Sequence, residues 1–233
     1  MVKRGLRGGI LRLLTRHEVR DIHVATLEVL EQVGIRVDSG LIMKIFDERG
    51  AEVDYERRRV RIPQHLIEEA LKKAPREITL CGRNREHDFL LEDHRVYFGL
   101  GGSPTPYMLD LETGEFKRGT KKNVADATRL GDALKNMSFI MSIGGAYDVP
   151  PEVEWLSEIE VMLNNTEKHI IYQASGARGA KKFLEMAMAV VGGPDELRRR
   201  PIISLFSQST CPLVFPNIDE GVVEFAKAGV PIV

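Results

Sequence analysis

Cysteine is scarce in this sequence. Cys81 and Cys211 are the only two among 233 residues, and they stand 130 positions apart. A disulfide-stabilised scaffold needs several cysteines at short spacings, and a zinc knuckle needs cysteines in close pairs. The sequence therefore excludes both, and we expect the protein to work in a reducing compartment, the cytoplasm.

An excess of one charge and long apolar runs are lacking as well. The chain has 33 Lys and Arg against 34 Asp and Glu, a formal net charge of −1 with histidine neutral. Nucleic acids and anionic membrane surfaces select a basic excess, so neither is expected as the main partner. No apolar run approaches the roughly 18 to 20 residues of a membrane-spanning helix. Hydrophobic residues nevertheless make up 43% of the chain, which is enough for a globular core.

The first fourteen residues are basic and contain one short apolar patch at Ile10 and Leu11, which Arg12 interrupts. A secretory signal peptide needs a longer apolar region followed by a small-residue cleavage site. We therefore expect this segment to be a loose arm.

A helix is predicted to follow the arm. Thr15 and Glu18 have the spacing of a capping box, in which the two side chains bind free backbone amides at a helix start. Apolar residues at three-and-four spacing then predict one apolar stripe along this helix, which should end at Gly34. The stripe consists of Val19, Ile22, Thr26, Val29 and Val33.

Two more helices and a β-rich segment complete the predicted N-terminal extension. The third helix begins at Pro63 and should bury four apolar residues between 66 and 71. Residues 99–106 contain too many glycines and prolines for regular structure. The other predicted elements are a helix from 41 to 49, strands at 77–81 and 95–98, and a hairpin of 107–111 with 115–118.

From residue 120, helices and strands alternate. The strands are near-continuous apolar runs, which is typical of a parallel sheet buried on both faces, and such repeated units form a doubly wound sheet or a barrel. Because the chain stops at Val233, inside the fourth strand, we interpret residues 1–119 as an extension and residues 120–233 as half of a barrel. The predicted helices are 121–134, 152–163, 177–191 and 218–227, and the predicted strands are 138–143, 169–174, 201–207 and 230–233.

In a barrel of this type the functional face lies at the carboxyl ends of the strands. Lys168 and His169 precede their strand, so we place them on the opposite face and assign His169 no catalytic role. Asp148 is either functional or part of a loop turn. The polar segments that follow predicted strands, and should point to the functional face, are 144–148, 173–175 and 207–211.

The other chemistry-bearing residues form no specific motif. None of the remaining five histidines has H-x-x-x-H spacing, or a nearby pattern of cysteines or carboxylates, that would fix a metal, so no metal site is expected. Gly101 and Gly102 lack the lysine of a phosphate-binding loop and permit either a close backbone approach or a plain turn. The flanking aromatic residues Tyr97, Phe98 and Tyr107 belong either to the core or to a cage for a cationic ligand.

A series of short motifs runs through nearly the whole chain. The motifs are Leu14-Thr15, Ile22-His23, Thr26 to Gly34, Val60 to Pro63, Ala74-Pro75, Gly82-Arg83, Phe98 to Gly102, Leu109 to Gly114, Asp148 to Glu152, Asn165 to His169, Glu196 to Arg198, Arg200-Pro201 and Ala228 to Pro231. In this order they resemble the trimethylamine methyltransferase family, which also includes enzymes acting on glycine betaine and other quaternary amines. The resemblance implies an α/β fold, a (β/α)8 TIM barrel with an N-terminal extension. Because chains of the family are longer, the sequence resembles only their N-terminal half.

The activity implied by the resemblance is methyl transfer from a methylated amine to the Co(I) of a corrinoid protein. No cofactor is then bound tightly by this chain, because the partner protein carries the corrinoid (cobalamin). The chain must orient an N–CH3 bond and exclude water, and a quaternary donor needs no catalytic acid, so no catalytic residue is assigned. The implied substrate-binding residues are Tyr97, Phe98 and Tyr147 against the cation, Gly101 and Gly102 for close approach, Asp148 beside them, and Gln173, Ser207 and Gln208 to orient a carboxylate or a water.

Two other interpretations stay open. A non-catalytic binding or structural half-barrel would assemble with a second chain, either a copy of itself or a complementary C-terminal half, because its exposed core edge would otherwise aggregate. An unrelated phosphate-binding barrel would hold its ligand after strands seven and eight, which this chain lacks. Within the family, pyrrolysine marks one branch and lies beyond Val233, so neither the branch nor the amine follows from this sequence.

Overall fold

The computed structural model describes residues 2–102, 105–216 and 220–233. The chain forms two compact units. The first comprises Met1–Arg7, Glu77–Ser207 and Gly221–Val233, and the second comprises Gly8–Arg76 and Gln208–Glu220.

Among the described residues, helices and strands alternate along much of the chain. The strands are β1 (Leu6–Arg7), β2 (Ile35–Val37), β3 (Glu52–Asp54), β4 (Arg59–Arg61), β5 (Glu77–Leu80), β6 (Phe89–Glu92), β7 (Arg95–Val96), β8 (Phe98–Leu100), β9 (Tyr107–Leu109), β10 (Phe116–Arg118), β11 (Met137–Ile140), β12 (His169–Tyr172), β13 (Ile203–Leu205) and β14 (Val214–Phe215). The helices are α1 (Arg16–Gln32), α2 (Gly40–Glu48), α3 (Gln64–Lys73), α4 (Lys121–Ala133), α5 (Glu154–Asn165), α6 (Gly176–Val191), α7 (Pro194–Arg199) and α8 (Gly221–Ala228). Short 3-10 turns cover Arg85–His87 and Pro151–Val153.

A parallel sheet forms the centre of the first unit. Its strand order is β13-β12-β11-β8, and Ile232 extends it through a parallel bridge to Leu205 on β13. Successive βα units produce this order because each crossover places its strand beside the previous one. The predicted strands after residue 137 are therefore confirmed in β11, β12 and β13, and the last one contributes only the bridge.

The sheet begins earlier than the sequence indicates. Phe98–Leu100 pairs in parallel with β11, so Gly99 and Leu100 belong to a regular strand. A side chain at Gly99 would lie 2.2 Å from the ring of Phe139, so this glycine serves close packing within the sheet. The prediction of irregular chain from 99 to 106 was therefore wrong for its first two residues.

Helices cover one face of this sheet with an apolar layer. Phe183 of α6, Leu197 of α7 and Phe225 of α8 are fully buried against Ile203 of β13. Burial of each such side chain contributes roughly 1.5–3 kcal/mol to stability. The four predicted helices are present as α4, α5, α6 and α8, although the predicted start of the last, residue 218, lies outside the described residues.

An antiparallel hairpin covers the opposite face. β5 and β6 pair along their length, and Leu80 and Phe89 pack on Ile171 of β12. The Asp88 carboxylate fastens the hairpin because it accepts two hydrogen bonds, both 2.9 Å long, from the guanidinium of Arg200 just before β13. The predicted strand at 77–81 is thus confirmed.

Part of the N-terminal arm is also a strand. β1 pairs with β7 in an antiparallel ribbon, and Lys3 forms a bridge to Phe89. The expectation of a loose arm was therefore wrong for Lys3, Leu6 and Arg7. The segment from 8 to 14 has no regular secondary structure, and its Ile10 and Leu11 side chains are exposed.

The second unit combines α1, α2 and α3 with a four-stranded sheet of order β14-β2-β4-β3. The predicted capping box is confirmed, since Thr15 and Glu18 bond reciprocally at the start of α1. The helices predicted at 41–49 and from Pro63 are also present, with Pro63 as the residue before the first turn. None of the four residues predicted to be buried on α3 is buried: Leu66 and Ile67 are half-buried, and Ala70 and Leu71 are exposed. All four line an open groove between α2 and α3.

The apolar stripe of α1 faces solvent. Val19, Ile22, Val29 and Val33 are 54, 55, 40 and 48% exposed, whereas Leu27 on the same helix is 4% exposed. An apolar stripe ordinarily marks the face of a helix that packs on a core. In the second unit the packing contact is made through Leu27 instead.

The described residues form a mixed α/β structure without a closed barrel. Their parallel sheet ends at β8 on one side and at the Ile232 bridge on the other. The (β/α)8 barrel therefore stays a prediction, and so does the boundary between residues 119 and 120, which falls inside the first unit. None of the described helices combines the length and the apolar character that crossing a membrane requires.

Candidate functional site

Several predicted site residues lie along one edge of the parallel sheet. The carboxyl ends of parallel strands face the same way, so the residues that follow them are neighbours. Gly101 follows β8, Tyr147 and Asp148 follow β11, Gln173 follows β12 and Ser207 follows β13. We call this region, residues 101–102, 141–148, 173–175 and 206–207, the carboxyl edge.

Gly101 lets the chain after β8 pass close to β11. Its φ is +95°, and a Cβ there would lie 2.3 Å from the carbonyl oxygen of Met141. Gly102 also has a positive φ of +140°, but no described heavy atom lies within 4 Å of where its Cβ would be. Both conformations favour glycine. Gly101 thus makes a close contact within the protein, and approach of a ligand to either glycine stays a prediction.

The predicted hairpin of β9 and β10 is confirmed, and it contacts the loop after β11. The Gly145 N–H donates to the Thr105 carbonyl at 3.2 Å, and the Tyr147 N–H donates to the Gly119 carbonyl at 3.1 Å. The Arg118 guanidinium lies 4.9 Å from the centroid of the Tyr147 ring, a distance at which the ring attracts a cation. One face of Tyr147 is thus paired with a cation of the chain itself.

Asp148 connects the same loop to α4. Its carboxylate accepts a hydrogen bond of 2.7 Å from the Lys121 N–H in the first turn of that helix, where a negative charge is stabilised by the helix dipole. This contact gives Asp148 a structural role. A role in substrate binding stays a prediction.

Gln173 and Ser207 follow the next two strands. Backbone alternation along β12 places Gln173 on the same face of the sheet as Ile171, and its exposed side chain has no hydrogen-bond partner among the described residues. The Ser207 N–H donates to the carbonyl of Val233 at 3.0 Å. The amide of Gln173 is therefore available to a ligand.

Tyr97 and Phe98 lie at the amino end of β8, away from the carboxyl edge. The Tyr97 hydroxyl donates to the carbonyl of Leu90 at 2.5 Å, and its ring centroid is 4.8 Å from that of Phe89. Tyr97 therefore belongs to the apolar layer beneath the hairpin, while Phe98 is 55% exposed. Gln208 belongs to the second unit.

Glu158 lies beneath the carboxyl edge and was missed in the sequence. Its side chain, 3% exposed, accepts a hydrogen bond of 3.0 Å from the Ala146 N–H and another from the Tyr172 hydroxyl. Burial raises the pKa of this carboxyl group to about 7, and the negative charge of Glu154 adds to the effect. Glu158 thus holds the loop after β11 and titrates near neutral pH.

Lys168 and His169 lie at the opposite edge, as predicted, and their contacts are structural. His169 Nδ1 bonds to the Cys81 carbonyl and Nε2 to the Ser204 hydroxyl, both at 3.0 Å. Complete burial lowers the pKa of His169 to about 4, so the ring is neutral at pH 7. The Lys168 ammonium donates to two carbonyl oxygens at the end of α4, both at 2.8 Å, where a cation is favoured by the helix dipole.

The likeness to a known family extends over almost the entire chain. Residues 3–233 match the family described as trimethylamine methyltransferase (MTTB). The chain belongs to the trimethylamine methyltransferase family. The resemblance carried by the short sequence motifs is thereby confirmed.

Individual family members are similar over the same span. The trimethylamine methyltransferase MttB of Desulfitobacterium hafniense (strain DSM 10664 / DCB-2) is 40% identical over 219 residues, which cover 92% of this chain and 43% of that protein. Its counterpart from Methanosarcina thermophila is 29% identical over 236 residues, 97% of this chain and 48% of that protein. The glycine betaine methyltransferase of Desulfitobacterium hafniense (strain Y51) is 28% identical over 224 residues, 95% of this chain and 46% of that protein. The chain therefore spans slightly less than half the length of these curated relatives.

Proposed function

We propose that this chain takes part in methyl transfer from trimethylamine, or from a quaternary amine such as glycine betaine, to the Co(I) of a corrinoid protein. The observation that carries the proposal is the family match over residues 3–233. Relatives named for trimethylamine and for glycine betaine both match the chain, which supports a methylated amine as the substrate class.

The composition of the carboxyl edge is compatible with this reaction. The carboxyl edge includes no Lys, Arg, His, Cys or Glu, and its one carboxylate, Asp148, is bound to the Lys121 N–H. An edge without a nucleophile or an acid–base pair suits a displacement whose nucleophile comes from elsewhere. A corrinoid on a partner protein would supply that nucleophile.

The residues of the chain are then left with binding and orientation. In this proposal the exposed Gln173 amide and the Ser207 hydroxyl orient a carboxylate or a bound water. The aromatic ring of Tyr147 lies against the methylated nitrogen, a contact worth about 0.5–2 kcal/mol. Asp148 and Gly101 shape the loops around the amine, and Gly102 leaves space beside it. A quaternary amine gives up its methyl group and departs as a neutral tertiary amine, and trimethylamine bound in its protonated form departs as neutral dimethylamine. In neither case does the chain need to supply a proton.

A methyl-transfer assay tests the proposal. The purified chain, alone and together with the C-terminal half of a relative, is mixed with a reduced corrinoid protein and with trimethylamine or glycine betaine. Loss of the amine and formation of its demethylated product are followed by mass spectrometry. We expect turnover with at least one of the two amines.

Variants connect the activity to the carboxyl edge. Gln173→Ala should lower kcat/KM about tenfold, the effect of losing one hydrogen bond worth about 1.4 kcal/mol. Gln32→Ala, at the end of α1 in the second unit, is the matched control and should leave kcat/KM unchanged. Absence of turnover under both conditions would contradict the proposal and favour a non-catalytic half-barrel that assembles with a second chain.

A further inference from the structure

A histidine and two carboxylates from distant parts of the sequence meet at the edge opposite the carboxyl edge. Glu86 and His87 belong to the 3-10 turn after β5, and Glu167 lies two residues before β12. One ligand atom from each of the three side chains lies within 4.8 Å of the other two. We call these three residues the amino-edge cluster.

The backbone on both sides of the amino-edge cluster is anchored. The Gly82 N–H donates to the Asp88 carboxylate at 3.0 Å, and the Glu167 N–H donates to the Asp132 carboxylate at 3.1 Å. A Cβ at Gly82 would lie 2.6 Å from the Cβ of His87 and 2.7 Å from the carbonyl oxygen of Glu167. Glycine at this position therefore allows the two segments to approach, and the anchors hold them there.

The side chains of the cluster have unused bonding capacity, although the Glu86 carboxylate accepts one hydrogen bond of 3.1 Å from the side-chain amide of Asn84. The His87 side chain is only 17% exposed, yet its buried Nδ1 has no hydrogen-bond partner among the described residues. Its Nε2 approaches Glu86 at 3.7 Å, which is beyond hydrogen-bond distance. No Lys or Arg of the described residues forms an ion pair with Glu86 or Glu167. Two carboxylates this close repel each other, and a cation between them removes the repulsion.

We propose that Glu86, His87 and Glu167 bind a divalent transition-metal ion, with Zn²⁺ as the expected occupant. Imidazole nitrogen and carboxylate oxygen are ordinary zinc ligands, with bonds of about 2.0–2.2 Å. Ligand atoms around a tetrahedral zinc are then about 3.3 Å apart, so the exposed carboxylates need to move inward by roughly 1.5 Å at most, which side-chain rotation provides. A water molecule would complete the coordination.

The bound ion would have a structural effect. It would link the 3-10 turn after β5 to the segment that leads into β12, and so would fasten the hairpin that covers one face of the sheet. Since the cluster lies at the opposite edge from Gln173 and Ser207, this role is separate from the proposed methyl transfer.

Zinc titration tests the site. The chain is prepared with Cys211→Ser, because the thiol of Cys211 is exposed and would bind zinc by itself, and is then stripped with a chelator. Isothermal titration with ZnCl2 should show one Zn²⁺ per chain with a dissociation constant of about 10 μM or tighter. Zinc should also raise the Tm.

Three further variants decide whether the amino-edge cluster is the site. His87→Ala and Glu167→Gln should each weaken zinc binding at least tenfold and abolish the rise in Tm. Because Glu167 is exposed, the second variant is expected to fold even if the first does not. His94→Ala, which removes an exposed histidine beside Asp93, is the matched control and should bind zinc like the parent chain. The proposal is overturned if no one-to-one binding occurs, or if Glu167→Gln binds zinc as tightly as the control.

Discussion

At the scale of single residues, the carboxyl group of Glu158, which holds the loop after β11, makes the stability of the folded chain depend on pH. Its pKa is raised by burial from an ordinary value of 4.5 to about 7. Between these two values the folded state retains a proton that the unfolded state has released, so stability falls as the pH rises. This loss in the free energy of unfolding is complete above pH 7 and amounts to roughly 3 kcal/mol.

The variant Glu158→Gln should remove this pH dependence, because its amide stays neutral. We expect the free energy of unfolding of the native chain to fall, relative to the variant, by roughly 3 kcal/mol between pH 5 and pH 8. Urea unfolding followed by fluorescence of Trp155, the single tryptophan, measures the difference. Glu152→Gln, a change at an exposed position, should give a curve parallel to the native one. Parallel curves for Glu158→Gln would contradict the raised pKa.

Residue patterns located some of the important side chains but not others. The position of Lys168 and His169 before a strand was enough to place them opposite the carboxyl edge. Glu158 stands three residues after Trp155 and four before Met162, on the apolar face of its helix, so its burial could have been read from helical spacing. The amino-edge cluster could not, because 80 positions separate His87 from Glu167 and only folding brings them together.

At the scale of elements, α1 shows that periodicity identifies a helix better than it identifies the buried face. Ile22 lies on the apolar stripe and is 55% exposed, whereas Leu27 is 4% exposed. Ile22→Lys should therefore change the free energy of unfolding by no more than about 0.5 kcal/mol. Leu27→Ala should cost about 2–5 kcal/mol, because it removes buried methyl groups and leaves a cavity. Unfolding in urea monitored by circular dichroism compares the two variants, and equal costs would show that the stripe is buried in solution.

A largely buried ion pair anchors the hairpin of β5 and β6. Asp88 is 8% exposed in its side chain and Arg200 is 22% exposed, so removal of one partner leaves a desolvated charge. Asp88→Asn should cost about 3 kcal/mol of stability. Asp126→Asn is the control, because Asp126 is 45% exposed and pairs with Lys122 and Arg129 on the surface of α4, where each ion pair contributes at most about 1 kcal/mol. A similar small cost for both changes in thermal unfolding would refute the anchoring role of Asp88.

At the scale of the whole molecule, regular βα alternation was sufficient to predict a parallel sheet, and the structure shows that its strands follow in sequential order. The first strand, β8, escaped prediction because Gly99 and Gly101 resemble loop residues. In the structure each of these glycines is required by a neighbour, the Phe139 ring or the Met141 carbonyl. The local sequence alone cannot distinguish a glycine in a tightly packed strand from a glycine in a loop.

The amino-acid sequence by itself determined the family, the succession of helices and strands after residue 120, and the capped start of α1, because each depends on local order along the chain. The tertiary structure decided which faces are buried and which side chains meet. It placed Tyr97 in the layer beneath the hairpin, set Glu158 under the carboxyl edge and joined Glu86, His87 and Glu167. Burial and contact between distant residues arise only when elements pack, so no short stretch of sequence specifies them.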